Sequence, residues 1–287
     1  MLKNRESFML EIGRFNELTV LRQLPRGLQL DGGEHGEILL PKQYTTEDMK
    51  VGDTVKVFIY RDSEDRLIAT TQTPLAMVGD FAYLNVVDES PVGAFLDMGL
   101  QRDILVPFSE QNNRLEKGRK VLVRIYLDDS DRLTASTKLD TFLYDTDETN
   151  AYKTGEEVNI VIGPKTDLGI KVIVDGTYWG LIYHSDVFQS LNRGDQLKAF
   201  IKRVREDQKI EIVLQKPGFA RVEGLAGDVL ELLAQDGGFI PLSDKSSPDD
   251  IKKKFQCSKS SYKQAIGTLY KQRLIRIEKD GIYLEDK

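Results

Sequence analysis

The chain has 287 residues, 40% hydrophobic and 30% charged, with a net charge of −6; this suits about two domains, or more if they are small. No apolar run reaches the ~18–20 residues of a membrane-spanning helix, which argues against a membrane protein. A single cysteine, Cys257, excludes an internal disulfide framework and a cysteine-cluster zinc site, and two histidines, His35 and His184, leave little for catalysis.

The segment Met1 to Ser7 is polar and contains an acid, so it does not read as a secretory signal, and a reducing cytoplasm is expected. There is no phosphate-binding P-loop, dinucleotide fingerprint, nucleophile elbow or H-E-x-x-H motif. The expectation is therefore a protein that is not an enzyme and uses neither cofactor nor metal.

In chain order, the first feature is a repeat. Gly27-Leu28-Gln29-Leu30, Ile38-Leu39-Leu40-Pro41 and Val55-Lys56-Val57-Phe58-Ile59 are short apolar runs, the last alternating with period two. Lys50-Val51-Gly52-Asp53 precedes that last run, and Asp62-Ser63-Glu64-Asp65 reads as a hairpin turn after it. The same order returns with Gly93-Ala94-Phe95-Leu96-Asp97, Ile104-Leu105-Val106-Pro107, Gly118 and Asp128-Asp129-Ser130-Asp131. It returns again with Gly169-Ile170-Lys171-Val172, Gly180-Leu181-Ile182-Tyr183-His184 and Gly194. The glycines at 52, 118 and 194 are 66 and then 76 residues apart. Five short runs in such a period predict one small antiparallel Greek-key barrel per repeat.

The predicted domains are 1–72, 73–139 and 152–218. Thr73-Pro74-Leu75 forms a short joint, residues 140–151 an acidic, solvated and mobile linker, and Lys216-Pro217-Gly218 a sharp break. His35 lies in a glycine-rich loop and carries no expected role. Arg66 and Arg132 are expected to pair with Asp62 and Asp128. Asp128, Asp129 and Asp131 read as a solvated turn rather than a metal site, Trp179 as a packing residue and Cys257 as a small buried one.

From Phe219 the period becomes helical. Leu225, Val229, Leu232 and Leu233 share a face, Ser247-Pro248-Asp249-Asp250 is a helix start, and Ser258 is a second cap that opens a helix at Ser261–Lys271. Leu274-Ile275-Arg276-Ile277 and Ile282-Tyr283-Leu284 flank a turn and predict a hairpin. This is the order of a winged helix, assigned to residues 219–287.

Charge is uneven. Residues 73–151 carry 8 basic and 14 acidic side chains, whereas residues 152–218 and 219–287 are each +1. Within 251–279, Lys252, Lys253, Lys254, Lys259, Lys263, Lys271, Arg273, Arg276 and Lys279 face Glu278 alone. In the third repeat, Lys198, Lys202, Arg203, Arg205 and Lys209 face Glu206 and Asp207 by proximity in sequence. The electropositive footprint that a polyanion requires falls in the C-terminal half.

At these residues the sequence resembles a known module. Gly93-Ala94-Phe95-Leu96-Asp97, Gly180-Leu181-Ile182-Tyr183-His184-Ser185 and the Gly-Asp runs followed by Asp62…Arg66 and Asp128…Arg132 are similar to the strands of the S-one type RNA-binding domain, an OB-fold. Three such domains before a winged helix resemble the conserved virulence factor B family of bacterial RNA-binding regulators. The resemblance implies a multidomain, mainly β chain of three tandem five-stranded OB-fold barrels followed by an α+β winged helix. It also implies a base-stacking aromatic at Phe95, a histidine position at Tyr183 or, one residue on, His184, and a basic position at Arg66 and Arg132. Gln29 and Lys171 stand where Phe95 stands, and Pro41 and Pro107 where Tyr183 stands. Val204 and Gln208 stand in place of the Asp…Arg pair in the third repeat. The first repeat thus has no evident stacking platform.

The function expected is non-catalytic binding of single-stranded RNA in post-transcriptional gene regulation, with virulence implied by the family. The contacts expected are Phe95, Lys171, Tyr183, His184, Lys198, Lys202, Arg203 and Arg205 in the barrels. In the winged helix they are Lys252, Lys253, Lys254, Lys259, Lys263, Lys271, Arg273 and Arg276. The alternatives are DNA-binding transcriptional regulation through the winged helix, or a protein scaffold that uses the acidic first two repeats. No dimerisation helix or heptad is present, so a monomer is expected.

Overall fold

Leu18 and Val20 point inward while Glu17, Thr19 and Leu21 point outward, the pattern of a strand with one buried face. In the computed structural model, which describes residues 9–149, 151–215 and 219–285, that strand opens the first of three barrels. Strands β1 (Phe15–Leu24), β2 (Gly27–Asp31), β3 (Glu37–Pro41), β4 (Thr54–Arg61) and β5 (Leu67–Thr70) close in the order β1-β2-β3-β5-β4. The second barrel uses β6 (Phe81–Ser90), β7 (Gly93–Leu96), β8 (Ile104–Pro107), β9 (Lys120–Leu127) and β10 (Leu133–Ser136) in the same cyclic order. The third uses β11 (Glu157–Lys165), β12 (Gly169–Val174), β13 (Tyr178–Tyr183), β14 (Gln196–Val204) and β15 (Ile210–Val213), again in that order. Neighbours are antiparallel except β3–β5, β8–β10 and β13–β15, which are parallel. These are the five-stranded Greek-key barrels the repeat predicts.

Closure depends on the long first strand of each barrel. Phe15–Thr19 pair with β4 and Val20–Leu24 with β2, and the register shifts between Val20 and Arg22. The shift recurs between Val86 and Asp88 and between Ile162 and Lys165. A bulge bends and twists a strand, which lets one strand serve both edges. Equivalent side chains fill the barrels: Leu30, Val57 and Ala69; Leu96, Val123 and Ala135; Val172, Ala199 and Ile212. Full burial of each larger aliphatic side chain is worth about 2 kcal/mol before entropy is counted.

The glycine that opens the second strand of each barrel has a steric cause. A Cβ at Gly27, Gly93 or Gly169 would lie 2.0, 2.2 and 2.0 Å from the carbonyl oxygens of Leu40, Val106 and Ile182. No side chain fits that approach.

The described residues form two compact units that divide after Phe142. The first unit holds barrels one and two; the second holds barrel three and the C-terminal module. The acidic stretch 140–151 differs from the expected solvated linker. Leu143 is buried, Tyr144 bridges to Tyr178, and Asp147 has no exposed surface. The Asp147 carboxylate accepts from the backbone N–H groups of Ala151 and Tyr152 and from the Thr149 hydroxyl. Burial alone would raise its pKa, but these bonds hold it below the usual carboxylate range. The predicted Lys216-Pro217-Gly218 break and the Met1–Ser7 segment lie outside the described residues.

The C-terminal module runs α1 (Phe219–Gln235), β16 (Phe239–Ile240), α2 (Pro248–Phe255), α3 (Lys259–Lys271), β17 (Ile275–Ile277) and β18 (Ile282–Leu284). Ser247 and Ser258 cap α2 and α3 by accepting from the N–H groups of Asp250 and Ser261. The third helix therefore begins at Lys259, two residues earlier than expected. The predicted hairpin is a three-stranded sheet, because β16 pairs with β18; two residues are too few to show a period. Leu225, Val229 and Leu233 pack with Tyr262, Ile266 and Leu269 beneath it, and Cys257 is buried there. This is a winged helix. No helix among the described residues is long and apolar enough to cross a membrane.

Candidate nucleic-acid interface

Strand register decides which residues of the three barrels correspond. Gln29, Phe95 and Lys171 lie opposite Leu39, Leu105 and Leu181, so they occupy one place on the outer face. Gly27, Gly93 and Gly169 lie opposite Pro41, Pro107 and Tyr183. The strand position is therefore held by Tyr183. His184 is the next residue, exposed at the start of a 3-10 turn, with its Nε2 3.1 Å from the Thr166 carbonyl oxygen.

In barrel one the face is closed to stacking. Gln29 is buried, and Arg66 is held by Asp62 at 2.8 Å and Glu64 at 2.7 Å. In barrel two Phe95 is half-buried and borders a cleft within the first unit. Arg132 departs from expectation. Only its backbone N–H bonds Asp128, and its guanidinium reaches Asp65 of barrel one, with Nε at 2.6 Å. Arg61 makes the reciprocal contact with Asp131 at 3.4 Å. Asp65 and Asp131 both sit in left-handed turn conformations, φ 61° and 56°, as does Gln208 in the corresponding hairpin of barrel three, φ 62°.

In barrel three, Tyr183, Lys202, Arg203 and Arg205 come together on β13, β14 and the turn that follows β14, while Lys171 lies on β12 two pairing steps from Tyr183. The Lys171 ammonium lies 4.1 Å from the ring centroid of buried Trp179, and the Lys202 ammonium lies 5.7 Å from that of Tyr183. Lys198 stands apart, near the start of β14, paired with Glu157 at 2.6 Å.

The count of free charge there is corrected. Lys202 pairs with Asp186 at 2.8 Å, Arg203 forks onto Glu211 at 2.9 Å, and Arg205 pairs with Asp207 at 3.1 Å. Glu157, Asp186 and Glu211 lie far from these bases in sequence and near them across strands. Burial would raise the Glu211 carboxyl, but the Arg203 guanidinium and the Tyr183 hydroxyl, 3.3 Å away, hold it below the usual range. The hairpin alignment also moves by one residue. Arg205 N–H bonds the Lys209 carbonyl as Asp62 N–H bonds that of Arg66 and Asp128 N–H that of Arg132. Arg205 and Lys209, not Val204 and Gln208, thus stand for the Asp…Arg pair, and an acid becomes a base.

The winged-helix cluster splits in two. Lys254 pairs with Asp236 at 3.1 Å, Lys263 with Asp244 at 3.8 Å, and Arg276 with Glu278 and Glu285 at 3.6 and 3.7 Å. Asp236, Asp244 and Glu285 fall outside the run of bases and escape a sequence count. The Lys252 ammonium lies 5.9 Å from the Phe188 ring centroid of barrel three. Lys253, Lys259, Lys271 and Arg273 have no ion pair among the described residues, and all but half-buried Lys259 are exposed. Sequence reasoning also missed the tyrosines at 144, 152 and 178; the Tyr178 ring centroid stands 5.8 Å from that of Tyr144 and 5.7 Å from that of Tyr152. The acidic composition around them masked that cluster.

Residues 12–72 and 78–138 each match the S1 domain family, and residues 227–284 match the CvfB-like winged helix domain. The uncharacterized protein YitL of Bacillus subtilis is 27% identical over 98% of this chain and 96% of its own length. Conserved virulence factor B of Staphylococcus epidermidis (strain RP62A) is 25% identical over 84% of this chain and 83% of its own. Among solved structures, a multidomain protein with nucleic acid binding domains from Streptococcus pneumoniae is 26% identical, covers 96% of this chain and 98% of its own, and has a TM-score of 0.40. The matched families are nucleic-acid-binding modules, not catalytic ones.

Proposed function

The chain belongs to the conserved virulence factor B family, and from that premise we propose that it binds single-stranded RNA, without catalysis, in the post-transcriptional regulation of gene expression. One observation carries the reading: an aromatic ring, Tyr183, sits among Lys202, Arg203 and Arg205 on the outer face of barrel three, with Lys171 further along the same face. Stacking on such a ring is worth about 1–3 kcal/mol per base and tolerates any base, while the bases around it meet phosphate. Each neighbouring carboxylate must give up its cation to a phosphate, which makes the contact conditional on a ligand rather than permanently open.

Lys253, Lys259, Lys271 and Arg273 add attraction without that exchange. Their partners are counterions, so affinity falls with salt. In this reading the chain works as a monomer in the cytoplasm, and the acidic outer faces of the first two barrels offer a surface to a protein partner. A link to virulence follows the names of its relatives. Gel-shift titration of a labelled single-stranded RNA against wild type and Tyr183→Leu tests the reading, with binding by wild type and roughly tenfold weaker binding by the variant expected. Equal affinities, or no RNA binding by wild type, would overturn it.

A further inference from the structure

Barrels one and two, both within the first compact unit, enclose a cleft of about 290 Å³ between them. That lies just below the roughly 300–1,000 Å³ range of ligand pockets, a size that suits one flat ring rather than a longer chain. Barrel two supplies an apolar wall of Phe95, Leu100 and Leu105. Barrel one supplies Tyr60 and Arg61 opposite.

Three features of this lining select a ligand. Phe95 lies half-buried on an outer strand face, where a ring can be covered by a flat partner. The Arg61 guanidinium is held in place by the Asp65 carbonyl at 2.7 Å and by Asp131 at 3.4 Å, which fixes its plane. A fixed, planar guanidinium stacks on the face of a flat ring. Finally, Asp62, Asp103 and Asp128 also border the cleft, against Arg61, Arg102 and Arg132, so the lining is balanced in charge. A phosphate gains nothing net from such walls. A neutral, flat group fits them. Arg102 is exposed and has no ion pair among the described residues, which leaves it to meet a phosphate outside.

We propose that this cleft takes a single unstacked nucleobase between Phe95 of barrel two and Arg61 of barrel one. The inference rests on the RNA-binding reading for its preferred source, a base of single-stranded RNA; a free mononucleotide offers the same chemistry. It gives the first barrel a part in binding despite its closed outer face.

The test uses the full chain. A short oligouridylate carrying 4-thiouridine is photocrosslinked and the modified peptides are mapped. Affinity is measured in parallel for wild type, Phe95→Leu, Arg61→Lys and Arg102→Ala, with folding checked by circular dichroism. Arg61→Lys keeps the charge facing Asp131 and removes the planar guanidinium. Free uridine monophosphate is tested by saturation-transfer NMR. The expected result is crosslinking to peptides containing Phe95 or Tyr60 and roughly tenfold weaker oligonucleotide binding by Phe95→Leu, the loss of one stacked base. Saturation by uridine monophosphate that Phe95→Leu abolishes supports the site with the free nucleotide as its source. RNA binding that all three variants retain, with crosslinks confined to residues 151–285, overturns the cleft and leaves the RNA reading standing. Absence of binding by either probe to wild type overturns both.

Discussion

Replacing Lys253, Lys259, Lys271 and Arg273 together by glutamine removes four cations that have no ion pair among the described residues. For single strands, the logarithm of the binding constant falls with the logarithm of salt by about 0.7 per neutralised phosphate. If each of the four meets one phosphate, the quadruple variant loses up to about 3 units of that slope. The matched control replaces Lys254, Lys263 and Arg276, whose carboxylate partners stand at 3.1–3.8 Å. A phosphate recruited there must displace an existing counter-charge, so the control loses less than the about 2 units that three free cations would. The assay is fluorescence anisotropy of a labelled single-stranded RNA across a salt series, with circular dichroism to confirm folding. Equal slopes for wild type and the quadruple variant, or a larger loss in the control, would refute the reasoning.

Two further outcomes follow from the fold. Gly93→Ala places a Cβ 2.2 Å from the Val106 carbonyl oxygen, so it destabilises the first unit by about 3 kcal/mol, read by urea denaturation; an unchanged midpoint would contradict the packing argument. Glu211→Gln loosens the Arg203 fork and costs about 1 kcal/mol, discounted because Arg203 is 63% exposed. Because the folded Glu211 pKa lies below its unfolded value, the wild-type contribution is present above the ordinary carboxylate range and lost on acidification through the folded value. Thermal melts of wild type and variant therefore converge as the pH drops, and a gap that stays constant would refute the assignment.

The sequence carried the barrels because their determinants are local. Alternation in Val55, Val57 and Ile59, the turn acids after them, and the glycines at 27, 93 and 169 each report on a few neighbouring residues. The closed topology follows once five such runs must bury one face. Ser247 and Ser258 marked the helix starts for the same reason.

What stayed hidden is what strands bring together from afar. Glu211 lies eight residues beyond Arg203, and Asp186 sixteen before Lys202. A window that counted only adjacent acids saw free charge where pairs exist. The hairpin of β14 and β15 could have been aligned from its outward-facing residues, which would have set Arg203 beside Glu211. The Arg132–Asp65 contact joins residues 67 apart and had no local trace. Asp147 read as a linker acid because composition alone does not show three hydrogen bonds closing on one carboxylate.

The most direct test of the central claim compares one labelled single-stranded RNA with duplex DNA of equal length, at two salt concentrations, on the full chain. The account predicts tighter binding to the RNA and a loss of affinity as salt rises. Preference for the duplex would make α3 of the winged helix the reader and contradict the account. Binding to neither would contradict it as well and favour a protein scaffold.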